Sequence, residues 1–374
     1  MSKEQGLITV EESSQPRQFL STSKERPFIS VVIDGFMRKE FIIEAVNSIR
    51  NQDLNENAFE LIVLRAFDDI ELDKQLTQNK AKILDVRDIS FGEAIRYAVE
   101  ESIGEVICFL DDDDKFQPNK LSRVYDLFSA DPDLCYFHNG QIFCNENSDI
   151  ISNFKLRKEN PGMLKFENKR FMNLASSLIK TGRYIDSLWF NFSSISVRKK
   201  IFNGKMDFVQ RITGHSDDLM FYLAFSFNGK ASMLNTNEPL TVYRVHNSTT
   251  SIVNSTDSTS LNKIRVKQYK DFSTSSGVFT ELMHGTEVEE YALARYSHDL
   301  AAFYNTKKEA LSLIKQTLKL ALKDKFRLVE FDWKKRFSTY FSFIAFALFY
   351  AVSKKIPAVN NISILFPGIE SFRR

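Results

Sequence analysis

Val106-Ile107-Cys108-Phe109-Leu110 runs straight into four carboxylates, Asp111, Asp112, Asp113 and Asp114. Five apolar residues, too few for a buried helix and rich in β-formers, read as a strand buried on both faces. Carboxylates packed this tightly repel one another and raise each other's pKa unless a cation neutralises them. The natural occupant is a hard divalent ion with oxygen ligands, and Mg²⁺ or Mn²⁺ carrying a diphosphate fits best. A solvated acidic turn or a Ca²⁺ loop would use the same residue types, so the rest of the chain has to decide.

Two other groups of residues have chemistry to offer. Gly214-His215-Ser216-Asp217-Asp218 opens an apolar helical run. A carboxylate there could act as a general base. Ser216 or Asp217 would serve equally well as a plain helix cap. Farther on, Arg244 and His246 stand two apart on an extended segment, which points both to one face, where they would meet one diphosphate. His138, His215, His284 and His298 have no such company.

The elements that must position these groups alternate. Phe28–Ile33 is a strand broken by Asp34-Gly35, and residues 40–49 are a helix with Ile42, Ala45, Val46 and Ile49 on one face. Phe59–Leu64 and Ala81–Val86 are further strands, and Phe91–Glu100 a helix leading into the acidic strand. Such alternation implies right-handed βαβ crossovers and a mostly parallel sheet flanked by helices. Ligands bind outside the carboxyl ends of such strands, so Asp34, Asp68 and Asp111 to Asp114 should gather on one rim as a nucleotide site. Pro118 opens a helix in its first turn. Tyr136–Phe143 and Phe192–Val197 alternate like half-exposed strands, and Arg183, Tyr184 and Trp189 between them either face a substrate or belong to the core.

Composition sets bounds. At 374 residues the chain exceeds one typical domain, and 43% hydrophobic content can build a sizeable core. Fifty basic and 48 acidic residues leave a net charge of +2, so no bulk charge argues for a nucleic-acid partner. Cys108, Cys135 and Cys144 form no CxxC pair and read as reduced thiols. The polar start lacks the apolar core of a signal peptide, and the expected setting is cytoplasmic. Residues 1–26 read as a flexible leader, 27–250 as the catalytic domain, 251–330 as a mobile Ser/Thr/Asn-rich loop with a helical extension, and 331–374 as an apolar and basic terminal segment.

Taken in order, these parts resemble the inverting family-2 glycosyltransferases of the GT-A fold, such as those of archaeal or bacterial glycan and glycolipid assembly. Ile29–Asp34 resembles their opening strand, and Gly92–Arg96 with Gly104-Glu105 the approach to their metal-binding strand. Leu110–Asp114 is similar to their DxD motif, Ser216-Asp217-Asp218 to their acidic helix start, and Tyr243-Arg244-Val245-His246 to their closing Tyr-Arg-x-His. The resemblance spans roughly Pro27 to Ser251. It implies a nucleotide-sugar donor, an acceptor hydroxyl on a glycan or lipid-linked sugar, and Mn²⁺ or Mg²⁺. It places Asp113 and His246 on the metal, with Asp34, Asp68, Arg96, Asp111, Asp112 and Arg244 on the donor. Asp111 would lie toward the ribose, Asp112 would be the least constrained of the run, and Asp114 would support its neighbours. Asp218, with Asp217 as second choice, would be the base.

The chain departs from that pattern after its second strand. Arg65-Ala66-Phe67 precedes Asp68 where the family carries an Asp for the base. Either Asp68 reaches back or Arg65 contacts the nucleotide, and the donor base stays open. An altered loop of this kind also allows a non-catalytic scaffold. A sugar nucleotidylyltransferase would need a Gly-rich loop after strand one, which Asp34-Gly35-Phe36-Met37-Arg38 does not supply. Near the end, Tyr340–Val352 is nearly all apolar between Lys334-Lys335-Arg336 and Lys354-Lys355. It is shorter than the ~20 residues of a spanning helix. It suits a helix lying in the membrane surface, peripheral on the cytoplasmic face, or equally a helix buried on the catalytic domain or in a homodimer.

Overall fold

The computed structural model describes residues 26–35, 38–152, 162–167, 188–214, 216–246 and, between 271 and 292, all but 273, 287, 290 and 291. Strand β1 (Ile29–Gly35) leads to α1 (Ile42–Arg50), β2 (Phe59–Arg65), α2 (Ile70–Gln78), β3 (Lys82–Asp85), α3 (Phe91–Glu101) and β4 (Val106–Asp111). The two-residue β5 (Lys115–Phe116), α4 (Lys120–Ala130), β6 (Leu134–Cys144), β7 (Leu164–Glu167), β8 (Ile195–Arg198), α5 (Ser216–Phe225) and β9 (Ser232–Arg244) follow. Among the described residues the strands form one sheet in the order β3-β2-β1-β4-β8-β6-β9-β5, with β7 also paired to β9.

The first four strands are parallel. The chain runs outward from β1 through β2 to β3, then returns to lay β4 on the other side of β1. The crevice where the order reverses lies between the carboxyl ends of β1 and β4, where Asp34 and Asp111 are register partners. Beyond β4 the direction changes, since β8 pairs antiparallel to both β4 and β6, while β6 and β9 run parallel. Pairing of β5 with Thr241 and Val242 brings the end of β9 back to the acidic run.

Both faces of the sheet are covered, which is why β1 and β4 are apolar without alternation. On one side α1, α2 and α4 bury Ile42, Val46, Leu72, Leu121 and Val124. On the other, α3 and α5 are joined by Val278, Phe279, Leu282 and Met283 from the 271–292 segment. Each such side chain contributes ~1.5–3 kcal/mol relative to leaving it in water. A capping box of Ser90 and Glu93 starts α3. Gly92 lets that helix touch backbone, because a Cβ there would stand 2.5 Å from the Val209 carbonyl oxygen.

The second half of the sheet differs from its sequence pattern. Tyr136–Phe143 was expected to be half-exposed, yet β6 is buried from Leu134 through Gly140, and β8 is buried throughout. Helix α5 covers the face that alternation assigns to solvent, and it is itself buried at every position from Asp218 to Phe225. Trp189 is core, packed on Phe221. The leader, Arg183, Tyr184, the 247–262 loop and the apolar run 340–352 lie outside the described residues. Among the described residues no helix is long and apolar enough to cross a membrane.

Candidate active site

The carboxylates after β4 are sorted by their partners. Asp111, Asp113 and Asp114 each offer an oxygen within 4.8 Å of the others, the geometry of a cation site. Asp114 is buried. Its Oδ2 accepts from Asn191 Nδ2 and Ser193 Oγ, both at 2.6 Å, and its Oδ1 from the Arg244 main-chain N–H at 2.9 Å. Asp111 is held by the same two side chains more loosely, at 3.4 and 3.3 Å. Burial, then the Asp113 charge, push Asp114 up to about 7 against its hydrogen bonds. Asp111 is raised well above the carboxylate range by burial and by Asp114, Asp113 and Asp34. Beside it, burial and Asp112 push Asp34 to about 8, with Arg38 opposing, and Asp34 Oδ1 is buried without a hydrogen-bond partner. Three carboxylates whose oxygens converge, next to an orphaned oxygen, are the donor set a hard divalent cation satisfies.

Asp112 is the reverse of unconstrained. It is 2% exposed, and it accepts from the Arg38 main-chain N–H at 2.9 Å and from Arg38 Nη1 at 3.1 Å, tying the loop after β1 to the loop after β4. Asp113 Oδ2 meets Arg38 Nη1 at 2.8 Å and His246 Nε2 at 2.7 Å. His246 thus stands behind Asp113 and orients it, instead of completing the trio of ligand oxygens.

Arg244 also departs from its expected place at a diphosphate. Its side chain is 0% exposed. The guanidinium donates from Nε to the Asp113 carbonyl at 2.8 Å, from Nη1 to the Glu146 carbonyl at 2.7 Å and Ser148 Oγ at 3.1 Å, and from Nη2 to Glu44 at 2.8 Å. Phe41 lies under it at 4.4 Å. β9 ends at Arg244, so His246 lies beyond the strand and strict alternation no longer fixes the two on one face.

In the first turn of α5, Asp217 Oδ1 accepts the Asp218 main-chain N–H at 3.0 Å. Asp218 is 1% exposed and points inward. Both lie near Tyr136, whose phenol is raised by burial and then by the charges of Asp217 and Asp218. The turn before α5 is held from outside. Ser275 Oγ accepts from the N–H groups of Thr213 and Gly214, at 3.0 and 3.1 Å.

The remaining expected donor contacts are engaged elsewhere. Asp68 is exposed and ion-paired to Arg65 and Arg87. Arg65 is buried and spent on the Phe67 carbonyl, Asp73 and Asp85. Arg96 joins Glu100 on its own helix to Gln210, fastening α3 to the short helix Met206–Val209. Sequence reasoning missed Arg38, Asn191, Ser193 and Lys120. Lys120 is fully buried beneath the cluster, with Nζ donating to Asn139 at 2.9 Å, the Ser193 carbonyl at 2.7 Å and Thr241 at 3.2 Å. Nothing local marks these residues, and the only signal was a lysine where an amphipathic α4 turns its apolar face inward.

The sheet and its helices have the GT-A fold of solved glycosyltransferases. The S. aureus TarS fragment 1–349, solved in complex with UDP-GlcNAc, has a TM-score of 0.51 at 13% identity and covers 88% of either chain, which speaks for the fold. Residues 30–185 match the family model for glycosyl transferase family 2. Among curated relatives, the O-antigen biosynthesis glycosyltransferase WbnJ of Escherichia coli is 30% identical over 140 residues, 35% of this chain and 53% of WbnJ. The uncharacterized glycosyltransferase MJ1057 of Methanocaldococcus jannaschii is 27% identical over 141 residues, 36% of this chain and 48% of that protein. The chain thus spans about half the length of the curated relatives it matches.

Proposed function

We propose that the protein transfers a sugar from a nucleotide-sugar to an acceptor hydroxyl by a single displacement that inverts the anomeric centre. The observation that carries this reading is the Asp111, Asp113 and Asp114 trio, its last two members buried, at the switch point beside Asp34. Asp111, Asp113 and Asp114 would hold Mn²⁺ or Mg²⁺, and the cation would supply charge neutralisation for the leaving nucleoside diphosphate. Asp34 and the half-exposed Asp111 face the crevice and would meet the nucleoside. His246 holds Asp113 in place. Asp218 accepts the acceptor's proton, with Asp217 as the second choice. Arg244 acts through structure, holding the Asp113 carbonyl and the 145–148 turn.

The acceptor reading, a glycan or a lipid-linked sugar at a membrane surface, rests on the apolar and basic sequence of 334–355. Thermal shift with a panel of UDP, GDP and dTDP, each with and without Mn²⁺, tests the donor class. At least one nucleotide should stabilise the protein in a Mn²⁺-dependent way that Asp113→Ala abolishes. Silence from every nucleotide would mean a non-catalytic scaffold instead.

A further inference from the structure

Two arginines touch the acidic run, and they are held differently. Arg244 is 0% exposed, with its donors distributed over two carbonyls, a hydroxyl and Glu44. Arg38 is anchored by its backbone, through the N–H given to Asp112, while its side chain is 18% exposed and ion-paired to two carboxylates of the run. Nη1 bridges Asp112 Oδ1 at 3.1 Å and Asp113 Oδ2 at 2.8 Å. Asp113 is also one of the three residues whose oxygens converge for a cation.

A guanidinium and a divalent ion cannot share Asp113 without strong repulsion, because two cations a few ångströms apart in a poorly solvated crevice are weakly screened. Removing the guanidinium without a substitute would leave Asp34, Asp112 and their neighbours more heavily charged. A diphosphate resolves the conflict, offering Arg38 a bidentate oxygen partner at the same rim while the metal takes its place among the carboxylates. Resting on the reading above, we propose that Arg38 is the counter-ion of the cluster while no metal is bound. On donor binding it moves to the diphosphate, so metal and nucleotide bind as a coupled pair. Arg38 is then a donor-binding residue whose backbone stays fixed while its guanidinium exchanges partners.

The coupling is reciprocal and measurable without turnover. Mn²⁺ binding to the full chain, followed by the loss of the free-ion paramagnetic resonance signal, should be weak alone. It should tighten by about tenfold or more with saturating UDP or GDP, within the range typical of coupled sites. Arg38→Gln, neutral but still able to bond Asp112, should bind Mn²⁺ alone about tenfold more tightly than the wild type, and most of the nucleotide coupling should vanish. Arg38→Lys, which keeps the charge, should bind Mn²⁺ alone like the wild type. The proposal is overturned if wild-type Mn²⁺ affinity is the same with and without nucleotide, or if Arg38→Gln gains none. If neither protein binds Mn²⁺ under any condition, the metal site itself is wrong and both readings fall.

Discussion

Arg244→Met should unfold the protein more readily without disabling its donor site, the opposite of what a diphosphate clamp would do. Met keeps most of the side-chain volume and removes every donor. Glu44 is 44% exposed, so water replaces its lost partner, and Ser148 Oγ retains a bond to Glu44 at 2.7 Å. The carbonyls of Asp113 and Glu146 lose the bonds Arg244 supplied. Each unsatisfied carbonyl costs about 1–3 kcal/mol, and the cation over Phe41 adds about 1 kcal/mol. The sum, roughly 3–7 kcal/mol, corresponds to a melting temperature lower by on the order of 10–20 °C for a folded unit of this size. Circular dichroism melts measure it, and nucleotide titration of the folded protein at low temperature should give an affinity within about threefold of wild type. A variant that melts within about 2 °C of wild type but binds UDP or GDP more than about tenfold more weakly would refute the reasoning and return Arg244 to the diphosphate.

Asp218→Asn should abolish transfer and leave donor affinity nearly intact, because it removes a role played only in the transition state; near-normal turnover would move the base to Asp217. Without metal, the melting temperature should fall as pH rises from about 4 to about 8. Asp34 and Asp114 keep protons in the folded state up to about 8 and about 7, whereas the unfolded chain loses them near the usual carboxylate pKa. The unfolded state therefore gains relative stability across that window, and a flat or rising profile would contradict the shifts. Ser275→Ala leaves the Thr213 and Gly214 N–H groups without their acceptor. It should cost ~1–2 kcal/mol in chemical denaturation and lower kcat while nucleotide affinity holds. An unchanged kcat would detach Ser275 from the base-bearing helix. Phe343→Glu with Phe346→Glu should prevent co-sedimentation with anionic liposomes, and failure of the unaltered protein to co-sediment would instead favour a helix buried on protein.

The parallel half of the sheet was legible because its signals are contiguous. Val31, Val32 and Ile33, then Leu61 to Leu64, then Val106 to Leu110 are unbroken apolar runs, and the amphipathic residues of α1 and α3 lie between them. The antiparallel half was harder, because α5 is apolar all round and shows no face, and its cover over β6 and β8 is a tertiary fact. The site divides in the same way. Asp34 and Asp111 stand at the ends of legible strands and meet by register. Lys120 and the Asn191–Ser193 segment are far apart in sequence and converge on the acidic run only through the sheet order β4-β8-β6-β9.

What the sequence presents as four equivalent carboxylates, the fold makes into four different groups. Asp112 closes one loop upon another through the Arg38 backbone. Asp114 is fixed from three directions, by Asn191, Ser193 and the Arg244 N–H, and Lys120 in turn fixes the Ser193 carbonyl. Asp113 has one buried partner, His246, and one on a partly exposed side chain, Arg38. Asp111 has only long contacts, at 3.0 Å or more even counting its own N–H to Ser193 Oγ, and remains half-exposed at the crevice. Rigidity therefore falls from Asp114 outward to Asp111. This is the gradient expected where the inner ligands must be preorganised for a cation and the outermost must still adjust to an incoming nucleoside. A solvated acidic turn would have no reason to bury its carboxylates in such an order, and the arrangement favours a site that waits for charge from outside.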